Sequence, residues 1–291
     1  MNVQTAFTLV NPQTQALAFK IYAFEDDSYF NKLNNFNYYS ILLITEGSGE
    51  IQAESSAYNF TGNCLISRAV YQPFVLKAKG EFKGVLINFH PDFFCIHKHQ
   101  SEIACNGVLF NNIYESPVTP LQEQDMQALM AIADGLKLEM QNAALAQYEL
   151  LVSYLKIFLI NATRIKLGQT NTAELTSEKE PFILKTLKDN IEEHYKARHS
   201  PGYYADLLNI STRALNRISK SHFNKTLTSL IAERIVIEAK RELYLTSKPV
   251  KAIAYELGFN DEFYFSRFFK NNAAVSPQLY RETVGFAKGE G

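Results

Sequence analysis

Two stretches of this 291-residue chain share a spacing that few folds accommodate: "YYADLLNISTRALNRISK" at 203–220 and "AIAYELGFNDEFYFSRFFK" at 252–270. In the first, Ala205 is followed four residues later by Asn209; in the second, Ala254 is followed four later by Gly258. A small Ala lets a second helix cross closely over the first, and a left-handed turn residue is best supplied by Gly or Asn. A branched or aromatic residue follows each turn directly, Ile210 and Phe259, with an arginine further on, Arg217 and Arg267. The Arg lies eight positions beyond the turn residue in one copy and nine in the other, so the second turn holds one extra residue. The pattern predicts two helix-turn-helix units, near 203–221 and 252–272, with Ala205, Asn209, Ala254 and Gly258 as structural turn positions.

Between them, "LTSLIAERIVIEAKRELYL" at 227–245 contains no Gly or Pro and predicts a continuous helix. At 1.5 Å per residue it spans about 28 Å, against roughly 34 Å between successive major-groove faces of B-DNA. A rod of that length can present two helices to neighbouring groove segments. On a helix beginning at Asp261, residues three and four apart share a face, so Phe265, Phe268 and Phe269 form a core stripe. Glu262, Phe263, Ser266, Arg267 and Lys270 fall on the other side.

Charge divides the chain in the same place. From Pro181 onward there are 17 Lys+Arg and 12 Asp+Glu, a balance of +5; the rest of the chain, with 12 basic and 18 acidic residues, carries -6. The basic part is the candidate for a polyanion partner. A hydrophobic content of 46% with a net charge of -1 describes a globular chain and excludes a disordered one. No basic start followed by an apolar run occurs over Met1 to Pro12, and the most apolar helix-like stretch, at 148–162, is broken by Glu149, Ser153 and Lys156. A secretory signal and a membrane partner are therefore not expected, and the expected compartment is the cytoplasm. Cys64, Cys95 and Cys105 form no CxxC pair and are expected as free thiols.

Ahead of the basic part, residues 19–89 alternate short runs such as "YYSILLIT" and "GVLINF" with glycine turns, the pattern of an all-β barrel or sandwich. Thr119-Pro120 has the form of a helix start, a capping hydroxyl followed by Pro at the first helical position. Helices are predicted over 120–141 and 143–166, the second with a wide apolar face. Residues 168–181 are polar and aperiodic and read as a linker.

The stretch "IAYELGFNDEFYFSRFFKNNAAVSPQLYR" at 253–281 resembles the signature of the AraC/XylS-type transcriptional regulators, carried by Gly258-Phe259, Tyr264-Phe265, Arg267, Phe269-Lys270, Ser276-Pro277 and Tyr280-Arg281. Residues 204–243 resemble that family's first unit with its connecting helix, and Pro277 falls at a structural position of the second. The resemblance covers about 100 residues and implies that the third and sixth helices of an all-α domain, 182–287, enter the major groove. It places Arg213, Asn216 and Arg217 on the first base-reading face and Glu262, Phe263 and Arg267 on the second. Their chemistry suits the role: Arg grips guanine, Asn adenine, Glu accepts from cytosine and Phe packs on a thymine methyl. Thr212, Lys220, Ser266 and Lys270 suit phosphates. The residues leave alternatives open, with Arg217 and Arg267 in structural salt bridges and Phe263 in the core. Where the family commonly has Gly, this chain has Asn224 and Ala274, and the latter costs about 1 kcal/mol in a left-handed turn or shifts it.

"SILLITEGSGEIQ" with "YNFTGNCLIS" is similar to the cupin-type sensor domain at the front of many such regulators. The resulting expectation is an α+β chain: a cupin-like effector-sensing β-barrel at 1–118, a helical dimerisation segment at 119–167, the linker, and the double helix-turn-helix domain. The effector and its pocket stay unassigned. By the same resemblance Tyr148, Leu151, Val152, Leu155, Phe158 and Leu159 pair with their twins in a homodimer, although that helix could instead simply cap the barrel. RNA polymerase is a further partner if the protein activates transcription. No cofactor or metal is expected, because no His precedes His90 and Gln72-Pro73 stands where a metal-binding cupin has a His. Cys95, His97 and His99 alternate and would share one side of a strand, a zinc-compatible set, unless the segment is a surface loop. No paired carboxylates or nucleophile motif point to catalysis. A barrel enzyme with a DNA-binding appendage and a nonspecific architectural DNA binder remain the alternatives.

Overall fold

The structure, a computed structural model, describes residues 6–12, 15–142, 144–176 and 182–284, and only the backbone of 100, 101 and 170–176. The chain separates into two compact units, with the main division between Thr170 and Asn171.

The first unit is built on a seven-stranded antiparallel sheet: β1 (Phe7–Val10), β2 (Leu17–Phe24), β3 (Tyr39–Ala53), β4 (Ser56–Thr61), β5 (Cys64–Arg68), β6 (Phe74–Phe89) and β7 (Val118–Pro120). The order is β1-β2-β6-β3-β5-β7, with β4 on β3. β3 and β6 pair from Tyr39↔Phe89 to Ala53↔Phe74, with register shifts at Ile44/Glu46 and Glu46/Ser48. Such bulges bend the strand, and Gly47 sits among them at φ 110°, where a Cβ would collide with the Glu81 carbonyl oxygen.

The side chains of Tyr22, Phe24, Leu42, Ile44, Ile66, Leu76, Phe82 and Leu86 build one core cluster on one face of the sheet. Phe19, Ile21, Ile41, Leu43, Ile87 and Phe89, which alternate with them, are also fully buried. A sheet buried on both faces reads as continuous apolar runs, which is why "SILLIT" and "GVLINF" do not alternate.

The closed barrel expected from the sequence is not formed: the strand path runs open from β1 to β7. Its edges are strands of four and three residues, and Pro120 ends the β7 edge without an N–H to donate. Thr119 and Pro120 do not start a helix. Thr119 pairs with Leu65 and Pro120 with Cys64 in the sheet.

Three helices follow β6: α1 (Gln100–Ile103), α2 (Glu123–Gln141) and α3 (Gln147–Thr176). α2 packs on β1 and β2. α3 is anchored where the Tyr148 hydroxyl donates to the Phe93 carbonyl at 2.7 Å. It runs well past position 166, through the first part of the expected linker; residues 177–181 lie outside the described residues. Extending an existing helix fixes one residue per bond gained, whereas nucleation fixes several, so a polar tail can continue a helix it would never start. Among the described residues no helix is long and apolar enough to cross a membrane.

The apolar stripe of α3 faces inward. Leu151, Leu155, Phe158 and Leu159 are each 0% exposed within the single chain, so these four are not available to a partner copy. Tyr148 is half exposed and already holds Phe93; Val152 is partly buried. The exposed apolar side chains of α3 are others, Leu150 and Ile157 among them.

The second unit is all helical: α4 (Phe182–His194), α5 (Pro201–Leu207), α6 (Thr212–Phe223), α7 (Leu227–Leu245), α8 (Val250–Glu256), α9 (Glu262–Ala273) and α10 (Pro277–Val284). α7 contacts α4, α5, α6, α8, α9 and α10 and buries Leu230, Ile231, Ile235, Ala239 and Leu243. Both reading helices are twelve residues long and end in left-handed caps, Asn224 at φ 57° and Ala274 at φ 55°. The turn at Ala274 is therefore not shifted; the chain holds a Cβ in a conformation that disfavours it. Ala274→Gly is expected to raise stability by about 1 kcal/mol and Asn224→Gly by less, measured by chemical denaturation of the whole chain.

Candidate nucleic-acid interface

Each reading helix is positioned by the turn before it. Asn209 at φ 53° and Gly258 at φ 77° take the left-handed conformation. The Ile210 N–H donates to the Ala205 carbonyl at 3.1 Å, and the Phe259 N–H to the Ala254 carbonyl at 3.0 Å. Ala205 and Ala254 are buried at the crossings. At Gly258 a Cβ would collide with the Lys196 carbonyl oxygen, so this position requires glycine for space as well as for φ. The extra residue of the second turn shows at the N-caps: Ser211, two beyond Asn209, accepts from the Ala214 N–H, while Asp261, three beyond Gly258, accepts from the Tyr264 N–H.

These caps set the rotation of the helices. α6 buries Leu215, Ser219 and Phe223, and α9 buries Phe265, Phe269 and Ala273. Phe268 lies between core and surface, its ring 5.1 Å from that of Phe259. On the opposite side of α6, Thr212, Arg213, Arg217 and Lys220 are exposed and Asn216 is partly buried. Ser211, Arg213, Ala214, Asn216, Arg217 and Lys220 line a surface concavity of about 480 Å³. On α9, Arg267 and Lys270 are exposed and Glu262 and Ser266 partly so. Phe263 is 76% exposed, which removes it from the core.

Charge is sorted by helix. Among the described residues, none of Arg213, Arg217, Lys220, Arg267 and Lys270 forms an ion pair. The arginines of α7 do the reverse. Arg234 Nε meets Glu192 at 2.7 Å with its guanidinium 3.8 Å above the Tyr195 ring, and Arg241 meets Glu238 at 2.8 Å. Burial pushes the Glu238 carboxyl up, but Arg234, Arg241 and Lys196 outweigh it and hold the group below the usual carboxylate range. Arginine on α7 is structural, whereas arginine on α6 and α9 faces outward with no counterion among the described residues.

Asn216 departs from the base-reading assignment. Its amide oxygen accepts from the Leu227 N–H at 3.1 Å and so covers an unbonded donor at the start of α7. The corresponding position of the second copy is Ser266, and the residue matching Leu227 is Pro277, which has no N–H. Ser266 consequently has no such donor to cover. Spacing alone does not reveal this cap, although the Leu227/Pro277 difference is visible in the sequence. Arg281 was also unassigned by spacing: its Nε and Nη2 donate to the Leu243 and Lys248 carbonyls at 3.2 and 2.7 Å, tying α10 to the end of α7.

The Cys95, His97 and His99 segment is a run of turns, so strand alternation does not place the three on one side. The Cys95 thiol accepts from the Lys98 N–H, and the His99 ring stacks 4.8 Å from Phe94 with its Nδ1 2.9 Å from Glu102.

The fold and this face define a double helix-turn-helix module. A helix-turn-helix domain family model matches residues 204–283. The regulatory protein SoxS of Salmonella typhimurium is 30% identical over 102 residues, which cover 35% of this chain and 95% of SoxS. The raffinose operon transcriptional regulatory protein RafR of Pediococcus pentosaceus is 28% identical over 138 residues, 47% of this chain and 46% of RafR. The transcriptional activator RhaS of an Enterobacter species is 26% identical over 159 residues, 55% and 54% of the two chains. The chain thus spans about half the length of RafR and RhaS. It belongs to the AraC/XylS-type transcriptional regulators.

Asn216→Ala is expected to cost about 1 kcal/mol of stability by leaving the Leu227 N–H unbonded, and Ser266→Ala to stay within about 0.5 kcal/mol of wild type. Paired urea melts of the two variants check this.

Proposed function

We propose that the protein is a sequence-specific DNA-binding transcriptional regulator that responds to a small-molecule effector. The single observation that carries the DNA-binding part is the set of five outward cations on α6 and α9 that have no counterion among the described residues, beside α7 whose arginines are paired. Phosphates are the natural counterions for such a surface. Arg213 and Arg217 read bases from α6, and Glu262, Phe263 and Arg267 from α9. Thr212, Lys220, Ser266 and Lys270 hold phosphates, and Asn216 contributes through its amide nitrogen, its oxygen being committed to Leu227. RafR and RhaS carry regulator and activator in their names, which supports activation through RNA polymerase in the cytoplasm. The effector belongs to the first unit, and a homodimer, if formed by α3, uses Leu150 and Ile157 rather than the buried stripe. A catalytic role has no supporting constellation.

Selection of bound sites from random duplex DNA is expected to return one motif. On that motif Arg213→Ala or Arg267→Ala is expected to lose about 1–3 kcal/mol and to relax preference at one base pair. Lys220→Ala and Lys270→Ala should weaken all sequences alike and each reduce the salt slope by about 1. Equal losses on cognate and random DNA for the arginine variants would assign them to phosphate, and selection without enrichment would favour an architectural binder.

A further inference from the structure

One rung of the β-sheet is polar at all four of its positions on β2, β6, β3 and β5. Lys20 of β2 lies opposite Asn88 of β6, Asn88 opposite Ser40 of β3, and Ser40 opposite Arg68 of β5. Residues directly opposite in antiparallel strands share a face. This rung therefore lies on the same face as the rung of Tyr22, Leu86, Leu42 and Ile66 two residues along, whose side chains belong to the core cluster. Asn88 is 0% exposed, and neither its amide oxygen nor its amide nitrogen has a hydrogen-bond partner in the protein. The adjacent Tyr22 hydroxyl is likewise buried without a partner.

Three buried polar atoms without partners are costly, and natural cores seldom keep them without a use. The two cations of the rung give the use a sign. Lys20 is partly exposed, and its ammonium lies 4.6 Å from the Tyr22 ring centre and 5.8 Å from that of Tyr29. Among the described residues no carboxylate pairs with it. Arg68 brings a second positive charge, with Nη2 donating to the Pro73 carbonyl at 3.2 Å. Lys20 marks the open end of the rung, and Tyr29 and Tyr38, their hydroxyls 3.2 Å apart, stand beside it.

We infer that this rung is the effector site and that its ligand is a small hydroxy acid. The carboxylate accepts from the Lys20 ammonium, the Asn88 amide nitrogen and the Tyr22 hydroxyl; a hydroxyl next to the carboxylate donates to the Asn88 amide oxygen. A neutral ligand leaves the Lys20 ammonium unanswered, and an acid without a hydroxyl leaves the amide oxygen unbonded. This inference rests on the reading of the chain as an effector-responsive regulator.

The test uses the full chain and matched probes: L-lactate, mandelate, gluconate and glucuronate, set against lactamide, mandelamide and glucose. At least one acid is expected to raise the melting temperature while its neutral counterpart does not. Lys20→Met is expected to weaken that acid at least tenfold. Asn88→Leu is expected to weaken it as much, yet to melt above wild type without ligand, because it replaces an unbonded buried amide with an apolar group of similar size. A merely structural Asn88 predicts the opposite, a lower melting temperature. No response to any acid, equal response to the neutral probes, unchanged acid binding by Lys20→Met, or destabilisation by Asn88→Leu each overturns the assignment. Binding of the selected DNA motif, followed in the same samples, separates the two readings. Motif-specific binding with no acid response removes only the effector site, and binding indifferent to sequence removes the regulator reading whatever the acids do.

Discussion

The second unit depends on two short backbone hydrogen bonds, Ile210 to Ala205 and Phe259 to Ala254. Each closes a turn only if the residue inside it takes a positive φ and if the crossing carries no bulk, conditions met by Asn209 with Ala205 and by Gly258 with Ala254. Once a turn is closed, the following N-cap, Ser211 or Asp261, has one place to sit, and the rotation of the reading helix follows from it. Burial of Leu215 and Phe223, or of Phe265 and Phe269, then leaves Arg217 and Arg267 on the surface. Side chains eight or nine residues downstream are aimed by the geometry of a single left-handed residue.

That dependence explains why this half of the molecule was legible in the sequence. Its determinants are local: a small residue, a turn residue four positions later, and a helix-capping side chain, all within one short window and present twice. The range of α7 could be read for the same reason, as an unbroken run of helix formers. Phe263 was not legible, because a helical period says which residues share a face and not which face is wet. Only the burial of Phe265 and Phe269 decides it.

The first unit defeats local reading by the same physics. β3 over Tyr39–Ile44 and β6 over Gly84–Phe89 are buried on both faces, so alternation disappears there and these segments read simply as apolar. Thr119-Pro120 satisfies the rule for a helix start and equally the rule for an edge strand; pairing with Leu65 and Cys64, distant in sequence, settles the competition. The stripe of α3 was correctly periodic and its partner misassigned, since an apolar face seeks cover without specifying whether its own chain or a second copy supplies it. Yet the polar rung left a trace: Lys20 within "LAFKIYAF" and Asn88 within "GVLINF" are polar residues inside runs that are otherwise apolar. Such interruptions are expensive, and each marks a place where a core does something besides pack.

The two reading helices are also less alike than their shared spacing suggests. Both must satisfy the first N–H groups of the helix that follows, and they do so by opposite means. The first copy supplies an acceptor, the Asn216 amide oxygen, to the Leu227 N–H; the second removes the donor by placing Pro277 at the same position, where its fixed φ also suits a helix start. Supplying the acceptor commits a side chain that would otherwise face the proposed interface, whereas removing the donor leaves Ser266 uncommitted. On α6 the contact surface thus narrows to the long, flexible, cationic Arg213, Arg217 and Lys220, whose reach is limited more by entropy than by position. On α9 it broadens to a carboxylate, an exposed ring and a hydroxyl beside Arg267, short groups held close to the helix axis. Discrimination among base pairs rests on rigid placement more than on charge, so under the proposed function the greater share of sequence preference is expected from α9 and the greater share of electrostatic attraction from α6.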